Sequence, residues 1–176
     1  MHTVERLMSY SEEFSPQMVE AVADSVERQN QFDTYHEFLG SVGIADCSKR
    51  AIIDVKPKEF DEAEALVMHL PMANPLDANQ LYSVATVASL YPNRRIIAAG
   101  NPSGVSYGYN LLSKKQREEV AKGNFKPAVE KLVKFMMKQD IERIDQVGES
   151  YGADLVVATG QYDEFELGSM VMIEPA

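Results

Sequence analysis

The chain has 176 residues, of which 45% are hydrophobic and 25% charged, a length and composition that suit one globular domain and exclude wholesale disorder. Its 27 acidic and 17 basic residues give a net charge of −10, so the basic footprint of a nucleic-acid binder is missing. No apolar run approaches the roughly 20 residues that span a bilayer, and the polar N-terminus lacks a signal-peptide pattern, so we expect a cytoplasmic protein.

The first third of the chain carries most of the acidic excess, because residues 1–66 hold 14 acidic and 6 basic residues. Within it, Ser15-Pro16 has the residue types of a helix start. The apolar residues that follow recur with the period of a helix: Met18, Val19, Val22, Ala23 and Val26. We therefore predict an acidic, solvated and partly helical segment over residues 1–48, followed by a folded core over residues 49–176.

From residue 51 onward, apolar runs and helical stripes alternate. The β-branched run 51–55 predicts a short strand, and the runs 65–69 and 95–99 predict strands that are buried on both faces. Between these two runs, Asn74-Pro75 opens a predicted helix that Pro92 ends. Its apolar stripe consists of Leu81, Val84, Ala85, Ala88 and Leu90.

The second half of the chain continues this alternation. Ser113 and Gln116 form a capping box that predicts a polar helix, and Pro127 starts another helix with an apolar stripe. Strands are predicted over 144–147 and 170–173, with a short helix over 151–159 between them. This order indicates an α/β fold with a mainly parallel sheet, in three layers of helix, sheet and helix.

Two groups of side chains in the second half of the chain lead to further predictions. Three acidic residues predict a solvated turn before the last strand: Asp163, Glu164 and Glu166. Four methionines lie on apolar stripes, so we expect them to pack in the core: Met136, Met137, Met170 and Met172.

The segment that carries chemistry is Gly148-Glu149-Ser150-Tyr151-Gly152. It matches Gly-x-Ser-x-Gly between a predicted strand and a predicted helix. Glycines two positions before and after the serine are needed where neighbouring backbone approaches closely. Such a turn lifts the serine hydroxyl above the sheet at a helix N-terminus, where the backbone N–H of Tyr151 can bind a developing oxyanion. The pattern therefore predicts Ser150 as a nucleophile.

With this motif, residues 50–176 resemble the α/β-hydrolase superfamily. Three further segments stand in the family's order: residues 67–72, where the family has a strand that leads to an oxyanion loop, residues 97–104, where it has a glycine-containing turn, and residues 173–175, where a strand commonly ends in an acidic residue and proline. The resemblance implies an α/β-hydrolase-like fold that is short at its C-terminal end. It implies a serine hydrolase of a small acyl ester, thioester or amide, with no cofactor and no metal.

The resemblance also implies roles for individual residues. Ser150 is the expected nucleophile, and the backbone N–H groups of Tyr151 and Met72 are the expected oxyanion donors, since Pro71 has no N–H to give. His69 is expected mainly to support the loop and is a weaker candidate for the general base. Glu174 is a weak candidate for the triad acid, and an ordinary polar residue at a strand end is the favoured interpretation.

The catalytic triad does not close in the family's order. In that order the histidine follows the serine, whereas all three histidines here, His2, His36 and His69, precede Ser150. Because a serine hydroxyl needs an adjacent base, an enzyme of this kind takes its base from residues outside this sequence, as a fragment or an incomplete chain does. The alternative is a non-catalytic structural or interaction protein that binds another chain, or copies of itself, through its acidic N-terminal third or through the open edge of its sheet.

Overall fold

The computed structural model of the chain describes residues 37, 40–41, 52–71, 78–99 and 112–173. Residues 37, 40 and 41 are helical, and the others form a mixed α/β fold. Its elements are β1 (Ile52–Val55), β2 (Glu64–His69), α1 (Ala78–Leu90), β3 (Ile96–Ala99), α2 (Lys114–Val120), α3 (Lys126–Met137), β4 (Arg143–Glu149), α4 (Tyr151–Thr159) and β5 (Glu166–Ile173). Within these residues, no helix combines the length and the apolar content needed to cross a membrane.

The strands and helices predicted from residue 51 onward are present, with differences at their ends. The capping box is confirmed, because Ser113 Oγ accepts from the backbone N–H of Gln116 while Gln116 Oε1 accepts from the N–H of Ser113. A proline stands in the first turn of α3, as predicted. The helix predicted over residues 16–29, and the predicted helix start at Asn74, lie outside the described residues.

The sheet has the strand order β1-β3-β2-β4-β5. Strands β2 to β5 are mutually parallel, and β1 runs antiparallel to β3 at one edge. The mainly parallel α/β sheet predicted from the sequence is therefore confirmed. In this order the carboxyl ends of β2 and β4 lie side by side, with His69 paired to Gly148. The Gly-x-Ser-x-Gly turn thus begins beside the end of β2.

Each face of the sheet buries its own apolar cluster, because successive strand residues point to opposite faces. One cluster joins Met68, Ile96 and Ala98 to Leu81, Val84 and Ala85 of α1. The other joins Val67, Ile97 and Ile144 to Val129 and Leu132 of α3 and Leu155 of α4. Full burial of one such aliphatic side chain contributes about 1.5–3 kcal/mol, so both clusters hold the strands that carry the candidate site.

Strand β5 begins earlier than predicted and contains a bulge. It starts at Glu166, so the prediction that Glu166 belongs to a turn is wrong, although its side chain is exposed. Ile144 pairs with Leu167 and Gln146 with Met170, which leaves one extra residue in β5. The spare N–H of Ser169 donates to a carboxylate oxygen of Asp145 at 2.5 Å. The side chain of Asp145 therefore stabilises the bulge.

Three of the four methionines expected in the core are about half exposed. Met136 is fully buried, but Met137, Met170 and Met172 are not, so the core prediction is wrong for these three. Met137 is the last residue of α3. Met170 and Met172 lie on β5, at the end of the strand order, where no further strand of the described residues pairs with them. An apolar strand pattern does not reveal which strand will stand at an edge.

Part of the acidic excess of residues 1–66 is neutralised within the fold. Arg95 is almost fully buried and donates to both carboxylate oxygens of Asp54, each at 2.8 Å. Such a bidentate pair is the strong form of arginine–carboxylate contact. Glu64 on β2 pairs with Arg143 on β4 at 3.5 Å. Both acidic residues belong to the core predicted over residues 49–176, whereas the solvated segment predicted over residues 1–48 lies almost entirely outside the described residues.

Candidate functional site

Ser150 occupies the turn between β4 and α4 in a strained backbone conformation. Its φ of 53° and ψ of −127° lie in a region that glycine adopts readily and that costs other residues about 1–3 kcal/mol. Its N–H donates to the carbonyl oxygen of Ile173 at 2.9 Å, which ties the turn to the end of β5. The surrounding strands thus hold the serine in a conformation that it does not favour by itself.

The two glycines of the motif allow three backbone segments to meet. A β-carbon on Gly148 would lie 2.8 Å from the backbone nitrogen of Ala153, and one on Gly152 would lie 2.9 Å from the carbonyl carbon of His69. Real β-carbons essentially never come that close to other atoms. The close approach predicted from the sequence is therefore present, between β4 and α4 and between α4 and the end of β2.

The Ser150 hydroxyl stands at the start of α4 without serving as its cap. A serine at this position usually accepts a hydrogen bond from the first turn of the helix, but the Ser150 side chain makes none. The side chain is only partly buried. Tyr151 is the first residue of α4, so its backbone N–H lies at the positive end of the helix dipole. The hydroxyl and this N–H are therefore neighbours at one helix end.

His69 ends β2 as a buried side chain with one strong partner. Its Nε2 lies 3.0 Å from Oε1 of Gln146 on β4, and because an amide oxygen only accepts, Nε2 donates. Burial lowers the pKa of His69 to about 4, although the hydrogen bond to Gln146 acts to raise it. The imidazole is therefore neutral at pH 7, with its donor nitrogen already engaged.

Sequence reasoning missed this pairing, although a signal for it was present. Gln146 is a polar residue in a strand that is otherwise apolar toward the core, and it is almost fully buried. His69 is the one polar residue at the end of the apolar run in the neighbouring parallel strand. Two buried polar residues on adjacent strands are expected to satisfy each other. The pair therefore explains why β4 departs from an apolar pattern.

The loop after β2 is held in place from two sides. The N–H of Leu70 donates to the carbonyl oxygen of Ala99 at 3.2 Å, and Nε2 of Gln80 on α1 donates to the carbonyl oxygen of Pro71 at 3.3 Å. Gln80 could not be identified from the sequence, because a glutamine in the first turn of a helix is usually a surface residue. Met72, Glu174, His2 and His36 lie outside the described residues, so their roles stay predictions.

The described ranges contain no group of three His, Cys, Asp or Glu side chains placed to hold a metal ion. Comparison of the chain with family models, with curated proteins and with solved structures finds no match. The geometry at Ser150 and its neighbours is therefore the basis on which a function can be proposed.

Proposed function

We propose that this chain is a serine hydrolase with a three-layer, α/β-hydrolase-like fold, which cleaves an ester, thioester or amide through Ser150. The observation that carries the proposal is the backbone of Ser150, whose positive φ lies on a strand-turn-helix segment between two glycines that have no room for a β-carbon. This geometry supports the assignment of a nucleophile elbow, in which a strained turn presents the hydroxyl above a parallel sheet.

The chemistry that we assign to this turn is acyl transfer. Ser150 Oγ attacks the substrate carbonyl carbon, its proton passes to a base, and the carbonyl oxygen becomes an oxyanion. The backbone N–H of Tyr151, and that of Met72, stabilise this charge in the proposal. Collapse of the intermediate breaks the bond to the alcohol, thiol or amine, which leaves with a proton. Water then hydrolyses the acyl-serine and restores the hydroxyl.

The general base of this reaction is not His69 in our proposal. Its Nε2 is engaged by Gln146, its side chain is 2% exposed, and burial lowers its pKa to about 4. A base works best with a pKa near the operating pH, so His69 is poorly suited. We assign it the support of the loop after β2. The base comes from a residue outside this sequence, on a longer form of the chain or on a partner.

A second candidate function is non-catalytic assembly, and the exposure of β5 favours it. Met170, Val171, Met172 and Ile173 are each about half exposed along this strand. Long exposed apolar edge strands are sites of pairing with other chains. In this alternative, a strand from another chain or from a second copy pairs with β5. The turn at Ser150 then has a structural role and no catalytic one.

A fluorophosphonate probe separates the two candidates. An activated serine displaces fluoride from phosphorus and forms a stable phosphonyl ester. We expect labelling of the protein purified from its native source, no labelling of Ser150→Ala, and unchanged labelling of Ser113→Ala, a capping serine away from the site. Absence of labelling in the native-source protein would reject the hydrolase, and sedimentation of that sample would then test assembly through β5.

A further inference from the structure

A groove of about 380 Å³ opens between α1 and the carboxyl ends of β4 and β5. This volume lies in the lower part of the range of roughly 300–1,000 Å³ that is typical of small-molecule sites. The groove lies at the same edge of the sheet as Ser150. The reaction proposed at Ser150 does not by itself assign a role to the groove.

The walls of the groove are largely apolar. Its apolar lining includes Val147 of β4 and Ile173 of β5, with Met68 and Leu70 at the end of β2. Helix α1 contributes Ser83 and Val87, which are one turn apart and share a helix face. A surface of this kind takes up an apolar chain without needing matched hydrogen bonds, because burial of the chain supplies the affinity.

The groove is adjacent to Ser150. Gly148 and Glu149, the two residues before the serine, line it, and so does Ile173, whose carbonyl oxygen accepts the hydrogen bond from the N–H of Ser150 at 2.9 Å. His69 and Pro71, on either side of Leu70 in the loop after β2, line it as well. A group covalently attached to Ser150 would therefore begin next to the groove's wall.

The negative charge near the groove disfavours acyl groups that are themselves negatively charged. Glu149 is exposed and lines the groove, whereas its described lining contains no lysine and no arginine. The chain as a whole has a net charge of −10. A carboxylate on the acyl chain, or a polyanionic leaving group, is repelled by this arrangement.

We propose that this groove holds the acyl group of the substrate, and that the substrate is an uncharged ester with a linear apolar acyl chain. The inference rests on the proposed function of Ser150 and names the substrate class for that site.

The test uses alkyl phosphonofluoridates, in which the alkyl group on phosphorus takes the place of the acyl chain. Ser150 Oγ forms a bond to phosphorus and fluoride leaves, with the serine proton passing to the base. For the native-source protein, we expect the octyl reagent to label Ser150 at least tenfold faster than the ethyl reagent. A reagent whose octyl chain ends in a carboxylate should react at least tenfold more slowly than the octyl reagent.

Two variants narrow the groove and a third provides a matched control. Val87→Phe and Ser83→Phe place a ring in the groove, and we expect each to reduce the octyl-to-ethyl rate ratio at least fivefold. Val157→Phe makes the same change at a half-exposed position on α4 and should keep the ratio. Circular dichroism and the midpoint of urea unfolding show that each variant is folded.

The outcomes separate the two proposals. Ethyl labelling with an octyl-to-ethyl ratio near one, or a ratio that neither groove variant alters, overturns the acyl groove and leaves Ser150 as the nucleophile. Absence of labelling by both reagents overturns the hydrolase itself and the substrate class with it.

Discussion

The carbonyl group of His69 faces Gly152 so closely that a β-carbon on Gly152 could not be accommodated. This contact joins the end of β2 to the first turn of α4. Because β2 also pairs with β4 on the other side of the turn, the position of Ser150 is fixed by two strands and one helix. Close packing between backbone segments therefore holds Ser150 in place, and point substitutions can test these contacts.

Replacing Gly152 with alanine should destabilise the protein by at least about 2–3 kcal/mol, because the new β-carbon meets backbone that has to move. Urea unfolding measures the change. Gly160→Ala is the matched control, since its β-carbon would find its nearest neighbour at 3.4 Å and its φ is −66°. It should change the free energy of unfolding by no more than about 0.5 kcal/mol. Equal effects of the two substitutions would contradict the close contact.

Replacing Ser150 with glycine should raise the free energy of unfolding by about 1 kcal/mol. Glycine removes a strain of about 1–3 kcal/mol but adds conformational freedom to the unfolded chain. Ser150→Ala keeps the strain and should leave stability nearly unchanged. Asp140→Gly measures the effect of the same kind of substitution at a second position, because Asp140 also has a φ of 53°. A stability gain for Ser150→Ala as large as that for Ser150→Gly would argue against strain at this position.

The buried state of His69 should make stability depend on pH. Its pKa of about 4 in the folded protein lies below the ordinary histidine pKa of 6.5. The unfolded chain therefore takes up a proton between these values while the folded chain does not. Stability is fully present above about pH 6.5 and falls as the pH is lowered toward 4. We expect a loss of about 2 kcal/mol between pH 7 and pH 5.

Urea unfolding of two variants at both pH values assigns this loss. His69→Gln should be less stable at pH 7 but should show little change between pH 7 and pH 5. A variant with both His2→Gln and His36→Gln should keep the full decline of the unmodified chain. If this double variant abolishes the decline, the titrating group is not His69.

Removal of the Asp145 carboxylate should destabilise β5. Burial acts to raise the pKa of Asp145, but the Ser169 N–H and the Arg94 charge outweigh it and hold the pKa below its ordinary value. Asp145→Ala removes the acceptor of the Ser169 N–H and leaves Arg94 with Glu64 at 4.0 Å. Because both partners are accessible to water, we expect a loss of about 1–2 kcal/mol in unfolding free energy. Glu166→Ala, at a highly exposed ion pair of 3.8 Å, should change it by no more than about 0.5 kcal/mol.

The sequence was sufficient to predict the local elements. The runs at residues 51–55, 65–69 and 95–99 predicted three strands because their residues combine β-propensity with burial, and flanking prolines and polar residues marked their ends. The capping box at Ser113 was equally readable, since both of its hydrogen bonds are made within one turn. The turn at Ser150 could be located because its glycines are fixed by a local steric requirement.

Features that depend on strand order could not be predicted in this way. Whether Met170 and Met172 are buried is decided by the position of β5 at the end of the sheet, which no local pattern encodes. The bulge beside Asp145 can be predicted only when the register between β4 and β5 is known. The His69–Gln146 pair can be predicted only when β2 and β4 are known to be neighbours in the sheet, because three helices and a strand separate them along the described part of the chain.

The same strand order has a kinetic consequence. Leu66 pairs with Ile96 in the neighbouring parallel strand, whereas Glu64 pairs with Arg143, which is 79 positions further along the chain. Closing the longer loop costs on the order of 1 kcal/mol more in chain entropy, and contacts distant in sequence form slowly. We expect the β2-α1-β3 unit to assemble before β4 docks. The strained turn at Ser150 then forms among the last parts of the molecule, so a reactive serine would arise only in chains that have completed their sheet.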